Sequence, residues 1–308
     1  MRTSRSILTA LLILLPCLAE AGGGLKVVAT TPDFAALIHA IGGDGVSLKI
    51  MAKATEDPHF VDARPSHIVS LNRADLVVES GADLEAGWLP PLIEGSRNKE
   101  LLPGGAGRVL GSAGVRLLDV PEVLDRSRGD IHAQGNPHFL MDPLNAGIVT
   151  RRLTEHMCRL DPASCPSFRE NLSRFERTLD ERMLRWTAAL APHRGASIVT
   201  YHNTWRYFAA RFELVADTFL EPKPGIPPSP PHLASVIGRM KQTGMRVILV
   251  EPFQSRRTAE KVARHTGATV VDVCQFPGGL EGTELDYFAL MDANVSAIAR
   301  ALGGAGPR

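Results

Sequence analysis

Apolar residues along this chain come in short β-branched runs, each followed by a loop and then by a stretch whose apolar positions recur every three or four residues. KVVAT leads into FAALIHAIGG, VSLKIM into a long loop, PSHIVSLNRA into DLVVESG, and VRLLDV follows later. The same grammar resumes after residue 195 with ASIVTYH, LVADTFL, RVILVE and TVVDVC, separated by helical stretches such as TWRYFAARF and ASVIGRMKQTG. Strands alternating with helices in this way predict parallel sheets covered on both faces. The expected class is therefore α/β, with two lobes, each a mostly parallel sheet flanked by helices. Between them, FRENLSRFERTLDERMLRWTAAL sets Phe168, Leu172, Phe175, Leu179, Met183 and Trp186 at helical spacing without a glycine or proline. This predicts one long helix joining the lobes. The divisions that follow are an N-terminal lobe over 22–165, the connecting helix over 166–194 and a C-terminal lobe over 195–308. A rigid connector of this kind limits hinging.

Composition fits that picture and narrows the partners. The 308 residues are 44% hydrophobic and 22% charged, enough for two lobes with their own apolar interiors. A net charge of +1 from 34 basic and 33 acidic residues, with no basic run, excludes nucleic acid as an expected ligand. The N-terminus reads MRTSR, ILTALLILL, PCLAEA, which has the basic start, short apolar core and small-residue exit of a secretory signal peptide over 1–21, cleaved after Ala21. Cys17 follows Leu15 and Pro16 rather than the small residues a lipid anchor needs. The expectation is a soluble, monomeric protein exported to an oxidising periplasm. There Cys158 and Cys165, flanking RLDPAS, are expected to close a small loop as a disulfide, and Cys274 is left over.

Of the ten histidines, His39, His156, His193, His232 and His265 read as structural or solvated. Three have a different context. His59 follows the strand VSLKIM, His202 closes the strand ASIVTYH, and His138 lies in GNPHFLMDPLNA, a loop leading into a helix. In open α/β sheets ligands collect at the carboxyl ends of strands. Proline stands immediately before both His59 and His138, in DPH and NPH, and holds the backbone extended. Neutral imidazoles from two lobes meeting in one cleft form a borderline-soft nitrogen set, which favours Zn²⁺ over magnesium or calcium.

Several segments, in order, resemble the zinc- and manganese-binding solute-binding proteins of ABC importers, the cluster 9 or cluster A-I group. EDPHFVDARPS resembles the family's first ligand loop, ESGADLEAGWL its G-x-x-L-E-x-W-L segment, GNPHFLMDPLNA its second ligand loop and YHNTWRYFAARF its third. PPSPPHLASVI and VILVEPFQS match the helix start and strand that follow. The resemblance covers nearly the whole chain after the signal peptide and implies that His59, His138 and His202 are metal ligands in a site between the lobes. It further implies a periplasmic receptor, not an enzyme, that delivers Zn²⁺ to the permease of an inner-membrane ABC importer, with a periplasmic metallochaperone as a further partner. In the family the third position is commonly histidine in zinc binders and glutamate in many manganese binders, so His202 argues for zinc. A manganese-preferring receptor is the alternative, and a zinc hydrolase with a water on three histidines is a remote one.

The chain departs from the family at the fourth ligand. Laying GATVVDVCQFPGG on the family's G-A-K-V-x-x-L-D-P-L-G places Cys274 at the aspartate, with Asp272 two residues earlier and on the same face of a strand. Cys274, Asp272, Glu251 as a weaker candidate, or water are the open choices, Cys274 being otherwise a buried small hydrophobe. Glu251, ending RVILVE, reads as an acceptor that orients a ligating histidine. The histidine-rich loop of many zinc-specific members is reduced here to His132, ahead of His138.

Overall fold

A computed structural model describes residues 24–122, 132–223 and 225–304. The signal-peptide segment 1–21, with Cys17, lies outside the described residues. In the first lobe β1 (Leu25–Ala29), β2 (Val46–Ile50), β3 (Leu76–Glu79) and β4 (Arg108–Leu110) form a sheet of order β2-β1-β3-β4. All its pairs are parallel, so each connection is a crossover, and α1 (Pro32–Gly42), α2 (Pro65–Asn72) and α3 (Leu89–Ser96) lie on these crossovers. The second lobe repeats the plan. Here β5 (Ser197–Thr200), β6 (Val215–Phe219), β7 (Val247–Val250) and β8 (Thr269–Asp272) are parallel in the order β6-β5-β7-β8. They are joined by α6 (Arg206–Arg211), α7 (Pro230–Thr243) and α8 (Arg256–Thr266).

Burial explains the strand sequences. In β3 (LVVE) and β7 (VILV) every residue is buried, because helices cover both faces of a central strand. The edge strand β2 is largely exposed and carries Ser47 and Lys49. Between the sheets run α4 (Pro143–Leu160) and α5 (Cys165–Leu190), and α9 (Tyr287–Gly304) closes the chain's described part. The expected long helix is α5. It buries Phe168, Phe175, Leu179, Trp186 and Leu190 against α1, α4 and α9, so one apolar core contains Val27 and Leu76 of the first sheet and Ile198 and Val247 of the second. A disulfide joins Cys158 to Cys165 across the turn between α4 and α5. No helix among the described residues is long and apolar enough to cross a membrane.

One expected strand is absent. VRLLDV forms no strand, and the fourth strand of the first sheet is the shorter RVL before it. Its backbone partners lie elsewhere: Leu118 N donates to the Tyr207 hydroxyl (2.8 Å), and Leu118 O accepts from Asn136 N (2.8 Å). Asp119, at φ 54°, accepts from Asn203 Nδ2 (3.0 Å). Alternating apolar residues therefore serve a strap from the first lobe to α6 and its approach, not a ladder.

Candidate metal site

The carboxyl ends of both sheets supply the site, as parallel α/β topology directs. His59 lies in the loop after β2. Pro58 O accepts from Trp88 Nε1 (3.0 Å), and His59 N donates to Asp57 Oδ1 (3.0 Å), so the loop is fixed on both sides of the imidazole. His138 stands before α4, whose N-cap Asp142 accepts from Leu144 N and is gripped by Arg211 through two bonds of 2.7 Å. His138 N donates to Asn136 Oδ1 (3.0 Å). His202 follows β5 by two residues, with its carbonyl accepting from Thr200 Oγ1 (2.7 Å).

The three rings form a near-equilateral group with centroids 5.1–5.3 Å apart. One nitrogen from each lies within 4.8 Å of the others. In each ring Nδ1 is already engaged: that of His59 by Asp57 (2.7 Å), that of His138 by Gln275 Oε1 (2.9 Å) and that of His202 by Glu221. An oxygen acceptor at Nδ1 fixes the proton there and leaves Nε2 as a lone pair. The Nε2 atoms of His138 and His202 face each other at 3.1 Å. Two acceptors that close are satisfied by a cation or a proton between them, and with Nδ1 held this way the donor set fits a metal ion.

Electrostatics divides the imidazoles. Burial, followed by the neighbouring histidines, holds His138 well below its usual range, so it is neutral and ready to coordinate. His202 is pulled up: burial opposes its charge, but the Glu221 carboxylate outweighs burial. Asp57, although burial raises it, is held below the ordinary carboxylate range by His59. A cavity of about 320 Å³ opens over the group between Tyr201, Phe253 and Phe60.

Residues 27–301 match the model of the family of zinc-uptake complex component A, periplasmic (ZnuA). The chain belongs to this family. A manganese ABC transporter substrate-binding lipoprotein, PsaA of Streptococcus anginosus, is 23% identical over 291 residues, covering 92% of this chain and 91% of that protein. An iron ABC transporter substrate-binding lipoprotein, MtsA of Streptococcus pyogenes serotype M1, is 23% identical over 289 residues, covering 90% and 89%. Among solved structures, a ZnuA crystal structure superposes with a TM-score of 0.76 at 21% identity over 90% of this chain and 99% of that one. FpvC of Pseudomonas aeruginosa in complex with Mn²⁺ gives 0.77 at 21% identity over 92% and 100%. At such identities the structures establish the two-lobe fold alone.

In this ZnuA-family chain none of Asp272, Cys274 and Glu251 joins the histidine group among the described residues. Asp272 ends β8 with its side chain exposed and paired to Arg256. Cys274 is fully buried against Phe276 and Leu290, its Sγ 3.7 Å from Ala54 O, and burial followed by Glu251 pushes its thiol up to about 12. The two residues do not share a face because the strand stops at Asp272, and two-residue alternation stops with it. Cys274 thus takes the part of a small hydrophobe. Cys274→Ser and Asp272→Ala are each expected to leave zinc affinity within about threefold of wild type in a chelator competition, since neither side chain meets the histidines. A loss of tenfold or more in either would return that residue to the metal.

The role assigned to Glu251 falls to Glu221. Glu251, which burial pushes up to about 7, accepts from Thr204 Oγ1 (3.1 Å), Gln275 N (2.9 Å) and Gln254 Nε2 (3.0 Å). It acts one step out, by holding the backbone of the glutamine that orients His138. Asp57, Glu221 and Gln275 are the residues that sequence reasoning did not assign. Asp57 had a signal, since an Asp two residues before a ligand can bond both its backbone and its ring. Glu221 and Gln275 are brought in only by the pairing of β6 with β5 and β8 with β7.

Proposed function

We propose that the protein is an extracytoplasmic receptor that binds one Zn²⁺ through the Nε2 atoms of His59, His138 and His202 and passes it to the permease of a membrane ABC importer. The observation that carries this reading is the convergence of three imidazoles from both lobes, each with Nδ1 already bonded to an oxygen. Membership of a zinc-uptake family supports it. Relatives named for manganese and iron, and a neighbour holding Mn²⁺, favour a second reading, a manganese receptor. The donor set argues for zinc: no carboxylate is in the ligand group among the described residues, and manganese prefers oxygen. Binding and release, without catalysis, is the activity this reading assigns: Asp57 and Glu221 are spent on the Nδ1 atoms of His59 and His202, and the buried Glu251 is engaged by three donors. The chain works as a soluble monomer in the periplasm after removal of residues 1–21. The disulfide between Cys158 and Cys165 supports an oxidising compartment, and a metallochaperone there is a further partner.

Metal content of the chelated and refilled protein, followed by competition between zinc and manganese, tests the reading. One zinc per chain, held against excess manganese, is the expected result; a chain that retains no stoichiometric zinc defeats it. Acid should release the metal. The imidazoles must be neutral to coordinate, and Glu221 favours a proton on His202, so affinity falls as pH drops through the raised value of His202. Below that raised value the expected slope is roughly tenfold per pH unit for each proton displaced. It is measured as proton release on zinc addition in weakly buffered solution, and a pH-independent affinity between 7.5 and 5.5, on the order of one value throughout, would contradict it.

A further inference from the structure

We propose that a second cavity, between the end of β2, the start of α2 and the turn at Pro277 and Gly278, binds a phosphate group, free or as a monoester. It shares no wall residue with the cavity over the histidines, and its volume is about 610 Å³. The charged residues of its wall are Lys49, Lys53, Arg64 and Glu284. None of them is in an ion pair among the described residues. Three cations facing one carboxylate favour a dianion as the occupant.

The backbone and a buried ring add neutral donors. α2 opens on Pro65, which has no N–H, and no side chain caps its first turn. Ser66 N, the first amide of the helix, meets no acceptor among the described residues, and it stands at the end where the helix dipole attracts an anion. His67 follows. It is 8% exposed, its Nδ1 is enclosed without a hydrogen-bond partner, and no described residue bonds its Nε2. A polar ring buried in this way costs free energy until a partner satisfies it, and this ring forms part of the cavity wall. A phosphate oxygen in the cavity is that partner.

The cavity also takes in both ends of the loop that carries His59, with Lys53 at its start and Arg64 at its end. Ala54 closes the floor against the second lobe, where a Cβ on Gly279 would meet Ala54 O at 3.1 Å. The volume exceeds that of a phosphate group alone and leaves room for the organic part of a monoester. Burial, followed by Arg64, holds His67 below its usual range, with Glu56 acting the other way. Lys49, Lys53 and Glu284 are the other charged groups on the walls around it. A dianion beside Arg64 reverses the local field, so bound phosphate favours a proton on His67.

The test is a titration of the intact exported protein with inorganic phosphate at constant ionic strength, followed by calorimetry and by the His67 ring resonances. Expected are saturation at one phosphate per chain and a His67 pKa higher by about 1 in the complex. Arg64→Ala, at an exposed position that leaves the fold intact, should weaken binding at least about tenfold. A parallel titration with glycerol phosphate separates the two sources: tighter binding than inorganic phosphate assigns the site to a monoester, and equal or weaker binding assigns it to the free ion. No saturable change at His67 with either probe up to about 10 mM overturns the site, as does an affinity that Arg64→Ala leaves within about twofold of wild type.

Discussion

Replacing His138 with alanine is expected to lower zinc affinity by at least about 100-fold. Zinc bound by protein nitrogens and sulfurs is worth about 10–16 kcal/mol in small structural sites, so one ligand in three or four carries on the order of 3 kcal/mol, which is about two decades in Kd. His138 should show the full effect. It is the most deeply placed of the three, 5% exposed, and burial keeps it neutral, so its lone pair is available without displacing a proton. Its ring is aligned by Gln275 Oε1, which would lose its partner in a buried position. His39, exposed on α1, provides the control: His39→Ala should bind zinc as wild type does. Competition with a chromophoric chelator measures both. A His138→Ala protein within threefold of wild type, roughly half a decade, would remove the three-histidine site.

The contrast between His138 and its orienting residues shows what the sequence made legible. Imidazoles at strand ends could be found because topology assigns them a place: His202 two residues past β5, His59 in the loop after β2. The helical periodicity of α5 was visible because its apolar stripe runs unbroken by glycine or proline. The ESGADLEAGWL segment was recognisable, yet its physical roles are visible only in three dimensions. Trp88 pins the His59 loop through Pro58 O, and Glu85, which burial together with Glu79 pushes up to about 8, gathers Thr30 Oγ1, Ser80 N and Gly81 N around one buried carboxyl. Glu221 was out of reach because it meets His202 across the β5–β6 pairing, and Gln275 because it meets His138 from 137 residues away in the other lobe. Asp272 and Cys274 lie apart from the histidine group for a local reason. Strand alternation was extended two residues past the end of β8, where the chain turns and Gln275, not Cys274, faces the histidines. VRLLDV failed in the same way, its alternation real but its hydrogen bonds committed to Tyr207 and Asn136.

Trp186→Ala is expected to lower the free energy of unfolding by about 3–5 kcal/mol, the range for deleting a large aromatic from a packed core. Trp186 is 2% exposed near the end of α5, and its ring stacks on Phe288 of α9, with Phe175 packed against the same phenyl ring at a centroid distance of 4.7 Å. Its Nε1 donates to Asp292 Oδ1 (2.8 Å), and Arg182 pairs with the same carboxylate. The substitution therefore opens a cavity and removes a donor from Asp292 together. Two turns from its start, α5 is bound to the first lobe instead, with Asn171 Nδ2 donating to Ile41 O (2.8 Å) at the end of α1. One helix thus grips both lobes, and unfolding either exposes part of the same core. Urea denaturation followed by circular dichroism should show a lower midpoint with an unchanged slope, because the two lobes still unfold together. A loss below about 1 kcal/mol would mean that α5 is a tether and not a clamp. If the loss is large while the folded variant keeps its zinc affinity, the clamp serves stability and the histidines are positioned by their own loops. If affinity falls with stability, the relative setting of the lobes is what holds His202 against His59 and His138.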